Sequence, residues 1–526
     1  MANTPSSHST VAEPRTKACA LLLAVLTAVV WGLAAPLARA HAGEDPLWDP
    51  LYKAAAPLRA AYEGRNPRLP PLAVERPAPV TLAEPIELVV ELDVAPGAPA
   101  LPFRLDIVRA TQWGDWKAAE PTVGKLGETH RTLAGGTAPT PTAGAVIVAG
   151  ELINGQERIQ WLLGVAVHDT GDGAQDRTWL MMWIPVYDSM LFIERIAPAA
   201  NGRDIGRVAW VTVRPGGEMA VVGGRARIAG SSGERFVAAT AEPAGSIPPE
   251  SFAGTWRVKL ATDPDEAVGR FTVNKETGEA AGTFLTTTGD SRYLVGRVDG
   301  RTLRLSTFDG AHAFLYRATL GEDGQSLAGD FWSGTWHHEA WTARRDETAT
   351  LADGFAHTKV IGTVADLDAL KLVSPGGYPA VASEDAPPGT PRIIELFGSW
   401  CPNCHDAAVV LNEIDRDFRP RGLRVLGLAL EHHTDPKAAQ KSVRGFIARR
   451  GLNYPVLIAA GLSDKAKATA ALGFLEQFKA FPTTIFIRRD GSVLAVHSGF
   501  SGPATGQEYT KLRARFFELA EELVRQ

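Results

Sequence analysis

Apolar positions along the chain fall into three regimes. Over 80–240, short runs at Ile86–Leu92, Val146–Ile153, Ile159–Val167, Trp179–Val186 and Met190–Ile196 alternate with Gly/Pro/Asp-rich turns. The Ala/Gly/Pro/Thr stretch Ala134–Ala143 reads as a loop among them. This pattern predicts an all-β sandwich or barrel. A boundary at 241–251 follows, and over 252–345 the turn signals tighten to Asn274–Gly278, Asp299-Gly300, Asp309-Gly310 and Asp323-Gly324. They separate about eight short stretches, from Gly254–Leu260 to Glu339–Ala343, an antiparallel meander of tight hairpins expected to form a small barrel or sandwich. Over 355–526 the period changes. Apolar strands at Pro391–Phe397, Leu423–Leu430, Val456–Ala459 and Ile485–Ile487 alternate with helical patterns. Helices are predicted near Val364–Lys371, after residue 401, and over Ala438–Arg450, Asp464–Phe478 and Tyr509–Val524, making this an α/β region. The fold class is therefore multidomain, two all-β regions followed by an α/β region.

The first α/β strand runs straight into Trp400-Cys401-Pro402-Asn403-Cys404-His405. Cys401 sits where a helix begins, continued by Ala407, Ala408, Val410, Leu411 and Ile414. Unpartnered backbone N–H groups and the positive end of the helix dipole favour a thiolate there. Cys404 follows one turn later on the same face, placed to attack a mixed disulfide formed at Cys401. The chemistry this spacing predicts is thiol–disulfide exchange. Glu395, six residues upstream on an otherwise apolar strand, is a candidate proton relay beneath the dithiol. Phe481-Pro482-Thr483, a proline directly before a strand, suggests a cis X-Pro bond closing over the sulfurs. Trp400 would shield one side of the nucleophile.

These residues resemble the thioredoxin fold, and within it the TlpA/ResA-like thiol–disulfide oxidoreductases of bacterial envelopes. The resemblance rests on Trp400-Cys401-x-x-Cys404, Glu395 and Phe481-Pro482-Thr483, and it covers roughly 355–526. Phe397–Cys404, His497–Gly506 and the pattern from Gly282 to Gly310 look like a larger subgroup with an extra N-terminal β-rich region. The resemblance implies Cys401 as attacking thiol, Cys404 as resolving thiol, Glu395 as buried acid and Pro482 as cis-proline. It also implies a reductase acting on protein disulfides, fed by a membrane-linked electron donor. No cofactor is required beyond the redox-active pair. Many members carry Pro or Gly-Pro between the cysteines where this chain has Pro402-Asn403, so the redox potential does not carry over.

Only three of the 526 residues are cysteines, and Cys19 lies in a leader-like segment. One reactive pair therefore remains, with no structural disulfide framework. Arg15 and Lys17 precede the apolar run Ala18–Leu33, and Ala38-Arg39-Ala40 offers a cleavage site before His41. Residues 1–40 thus read as a signal peptide or an N-terminal membrane anchor. Residues 41–79 read as a helix and Pro-rich linker, and the protein as exported to the periplasm or envelope. A net charge of −5 carries no nucleic-acid-like basic excess.

Other readings compete. Cys401-x-x-Cys404-His405 also spells a c-type haem attachment motif, with His405 on the iron. Otherwise His405 is a charge-tunable neighbour of the helix start, or exposed. An envelope binding protein with an incidental dithiol is a further alternative. A peroxidatic Thr-x-x-Cys is absent, since Gly398 stands at the Thr position. His337-His338-Glu339 offers metal ligands but fits a hairpin end better. Trp332, Trp336 and Trp341 suit core packing better than a binding platform, and so do Met181, Met182 and Met190. Glu431-His432-His433, at the carboxyl end of a strand, stands where α/β ligand sites tend to lie. The two β regions are expected to recruit a substrate or hold the redox region at the envelope.

Overall fold

The computed structural model describes residues 80–113, the strands between 145 and 229, and 247–525 apart from six positions between 362 and 369. The expectations for the leader, the linker at 41–79 and the loop at 134–143 lie outside these residues. So does half of the segment near Val364–Lys371.

Eight antiparallel strands between Val80 and Ile228 form a closed barrel. Val80–Leu92 pairs with Leu101–Trp113 on one side and Met219–Ile228 on the other, which closes the ring. Three of its strands, Leu101–Trp113, Asp204–Val213 and Met219–Ile228, were not predicted. The first carries a clear alternation, and Leu101, Phe103, Leu105 and Ile107 are all buried. The last contains Gly223-Gly224, which reads as a turn. In the barrel, a Cβ on Gly224 would fall 2.2 Å from the Glu91 carbonyl oxygen, so this glycine marks a close strand approach.

A second ring spans Gly254–Arg345. Its strands pair in consecutive hairpins, and the pairing of the first, Gly254–Leu260, with the last, His337–Arg345, closes the sheet. All eight predicted strands are present, with Gly278, Gly300, Gly310 and Gly324 at positive φ where the turns require it. Aromatic rings fill the centre. Phe284 stacks on Tyr316 at 4.1 Å, and Trp341 meets Phe284 edge-on at 5.2 Å. Trp341 is therefore core, while Trp332 is buried with residues of the first barrel. Phe308 stacks on Phe103 at 4.2 Å, and the Ser189 hydroxyl donates to the Gly310 carbonyl at 2.5 Å. The two barrels thus share one apolar seam.

The α/β region is a seven-stranded mixed sheet with Arg392–Phe397 between parallel Arg424–Glu431 and antiparallel Thr483–Ile487. Every residue of Arg392–Phe397 is buried, as a central strand requires. Helices Pro402–Phe418, Pro436–Arg450, Lys465–Leu472 and Gln507–Arg525 complete it. The helix expected over Asp464–Phe478 ends at Leu472, because Gly473 takes φ 59° and caps it. Val493–Ser498, not predicted as a strand, forms the sheet edge next to Thr483–Ile487.

Candidate functional site

Cys401 is the N-cap of helix Pro402–Phe418, with Pro402 at its first turn, where proline's missing N–H costs nothing. Its Sγ accepts from the Cys404 backbone N–H at 3.3 Å and is bonded to Cys404 Sγ, the Cα atoms being 5.2 Å apart. Cys404 is fully buried and Cys401 only 5% exposed. The peptide before Pro482 is cis. Cys401 Sγ lies 3.7 Å from the Phe481 carbonyl oxygen, and the Phe481 ring meets Trp400 edge-on at 4.9 Å. The Thr483 hydroxyl donates to the Ala480 carbonyl at 2.8 Å and fixes the start of its strand.

Glu395 is 0% exposed, and burial pushes its carboxyl up to about 8. The Tyr454 hydroxyl donates to Oε2 at 3.1 Å, whereas Oε1 has no partner. On a strand period of two, Glu395 shares a face with Phe397. Phe397 packs against Phe446 with ring centroids 4.8 Å apart, and the Phe446 ring lies 4.5 Å from that of His405 on the dithiol helix. Glu395 therefore lies on the face that this helix covers. Thr484, its cross-strand partner, likewise keeps a buried hydroxyl with no partner.

A second buried acid ends the neighbouring strand. Glu431 accepts from both the Ser399 N–H and the Ser399 hydroxyl, each at 2.8 Å, and burial raises it to about 7. Glu431 thereby holds the turn that presents Trp400 and Cys401. His432 stacks on Trp400 at 3.9 Å between centroids, and burial lowers it to about 3. The Glu431-His432 pair therefore belongs beside the dithiol. Tyr454 and Ser399 were not singled out in the sequence, because a lone Tyr before a strand and a Ser in a turn carry no pattern.

His405 corrects an expectation. It is fully buried, with Nδ1 accepting from Arg450 Nε at 3.0 Å and Nε2 donating to the Ser399 carbonyl at 2.8 Å. Burial, with Arg450 next in effect, holds it neutral. Both ring nitrogens are engaged and both thiols are joined to each other, so the motif does not fit haem attachment. His337 pairs with Glu339 at 2.9 Å and His338 with Asp330 at 3.1 Å. Among the described residues, no group of three or more His, Cys, Asp or Glu is placed to hold a metal ion.

Asn403 leaves the dithiol and reaches the second barrel. Its Nδ2 donates to Asp290 Oδ2 and to the Phe500 carbonyl, each at 3.0 Å. Arg292 is paired with Asp406, also on the dithiol helix.

Residues 373–511 match the Redoxin family. A curated relative, the thiol-disulfide oxidoreductase ResA of Halalkalibacterium halodurans, is 23% identical over 119 residues, 23% of this chain. The chain spans 60% of that relative's length. Among solved structures, a thiol:disulfide interchange protein of the thioredoxin family from Chlorobium tepidum TLS is 19% identical, with a TM-score of 0.22. The match covers 29% of this chain and 90% of that one. A secreted Mycobacterium tuberculosis disulfide oxidoreductase is 18% identical with a TM-score of 0.20, over 27% and 92% of the two chains.

Proposed function

We propose that this chain, whose C-terminal region is a TlpA/ResA-like redoxin domain, is an exported enzyme that reduces disulfides in protein substrates. The observation that carries the reading is Cys401 at a helix N-cap, its sulfur accepting the Cys404 N–H and bonded to Cys404. In the reduced protein the Cys401 thiolate attacks one substrate sulfur and expels the other as a thiolate, giving a mixed disulfide. Cys404 then attacks Cys401 Sγ. A second substrate thiol leaves, and the pair is oxidised by two electrons. Glu395, raised to about 8 and with one oxygen unpartnered, accepts the Cys404 proton and returns it when a membrane-linked donor re-reduces the pair. The cis-Pro482 loop and Trp400 flank the attacking sulfur. The pair serves as the only redox group. Export rests on the leader-like residues 1–40, and fractionation of cells expressing the full chain tests it.

The central test is an equilibrium titration of the pair in dithiothreitol or glutathione buffers, read by Trp400 fluorescence and thiol alkylation. A reversible two-electron transition near about −270 mV supports a reductase. A midpoint near about −120 mV overturns the direction. No transition, or turnover that survives Cys401→Ser, overturns the reading itself.

A further inference from the structure

The second barrel does more than sit beside the redox region. Its loop Thr286–Arg292 is shaped to admit the residue between the two cysteines. A Cβ on Gly289 would fall 2.7 Å from Asn403 Nδ2, and one on Gly502 would fall 2.5 Å from Asp406 Oδ2 and 2.8 Å from Asp290 Oδ2. Glycine at both points lets the two regions close onto each other. Within this seam Asp290 is buried and accepts three hydrogen bonds. Oδ2 takes Asn403 Nδ2 at 3.0 Å and the Gly502 N–H at 2.6 Å, while Oδ1 takes the Arg292 N–H at 2.8 Å. Arg292 has φ 62°, the only positive φ of a non-glycine among the described residues, and its guanidinium pairs with Asp406. Strained backbone of this kind persists where its surroundings hold it in place.

The consequence lies in the covalent geometry of Asn403. The peptide that joins Asn403 to Cys404 carries the N–H that donates to Cys401 Sγ at 3.3 Å. Both hydrogens of the Asn403 amide are used, one on Asp290 and one on the Phe500 carbonyl. Holding that side chain restrains the plane of the peptide and so the aim of its N–H at the sulfur. A donor aimed at sulfur stabilises the thiolate, and thiolate stabilisation favours the reduced pair. We infer that Asp290 is a positioning residue for the dithiol: through Asn403 the second barrel fixes the Cys404 N–H against Cys401 and so raises the reduction potential of the pair. The inference rests on the thiol–disulfide reading above.

Redox titration and the ultraviolet thiolate absorbance of the full chain test it, with circular dichroism to verify folding. Asp290→Ala removes the acceptor. The disulfide should become harder to reduce by about tenfold, a midpoint lower by about 30 mV, with the Cys401 thiol pKa raised. Asp290→Asn keeps an acceptor oxygen and loses the charge, and it should stay within about twofold of the parent. Asn403→Ala should reproduce the Asp290→Ala shift, and the double variant should add nothing. Arg270→Gln breaks a remote contact between the same two regions, the ion pair with Glu508 at 3.2 Å, and should leave the potential unchanged.

An unmoved midpoint in Asp290→Ala overturns the inference. So do additive shifts in the double variant, equal upward shifts in both Asp290 variants, or an Arg270→Gln shift as large as that of Asp290→Ala. If the parent chain shows no two-electron transition, the thiol–disulfide reading fails first. A parent that titrates normally beside an unmoved Asp290→Ala removes the positioning role alone.

Discussion

Two buried glutamates flank the dithiol, and their surroundings differ in one respect. Glu431, at the end of strand Arg424–Glu431, has both carboxylate oxygens occupied by Ser399. Glu395, in the middle of strand Arg392–Phe397, has one oxygen on Tyr454 and one with no partner. Burial raises both acids, Glu395 to about 8 and Glu431 to about 7. A carboxylate with every acceptor used is a fixture of the fold. One with an open oxygen can take and release a proton without breaking what it holds. The difference assigns Glu431 to the presentation of Cys401 and Glu395 to proton traffic in the proposed exchange.

The largest effect that tests this contrast is on stability against pH. Both folded values lie above the ordinary 4.5. Below that value both acids are protonated, folded or unfolded, and their contribution is fully present. It is lost as pH rises through about 7 for Glu431 and about 8 for Glu395. The losses reach up to about 3 and about 5 kcal/mol. Denaturant unfolding at mildly acidic and mildly alkaline pH should show the protein more stable on the acid side, and Glu395→Gln should remove the larger share. A flat profile would mean that neither acid is held protonated.

Next in size, Glu431→Ala strands two Ser399 donors and should cost about 3 kcal/mol of stability, with turnover per folded molecule within about threefold. Glu395→Gln keeps the shape but cannot ionise. It should lower turnover about a hundredfold, or about 2.7 kcal/mol, without loss of melting temperature at neutral pH. The reverse pattern, with turnover lost at Glu431 and stability lost at Glu395, breaks the division of roles. Smallest is Tyr454→Phe, which removes the one donor that lowers Glu395. The acid limb of the pH–rate profile, which the ionisation of the accepting carboxylate sets, should move upward by less than about one unit, and a downward move would mean that Tyr454 is not setting that limb.

The sequence made the dithiol, the α/β alternation and the second barrel legible because each has a local signature: Cys spacing at a helix start, a change of period, and Asp-Gly turns. It exposed the first barrel less well, since Gly223-Gly224 reads as a turn wherever no neighbouring strand is known to press against it. The site was legible only along one chain segment at a time. Asp290 comes from another region more than a hundred residues before Asn403, and the resemblance of the Gly282–Gly310 pattern to the larger subgroup places that region without pointing to a contact with the dithiol. His405 misled for the opposite reason. Its place in Cys-x-x-Cys-His suggests a ligand, and only the packing of Arg450 and Ser399 around its ring shows the nitrogens taken.

The seam between the barrels has a hydrodynamic consequence. The turn Asp309–His312 is gripped from the first barrel by Ser189, and Asp290 and Arg292 of the second barrel grip Asn403 and Asp406 on the dithiol helix. The barrels and the redox region are thus joined in series by packed contacts rather than hung on tethers. Fluorescence anisotropy of Trp400 should decay with the slow rotation of one large body rather than the faster wobble of a small domain.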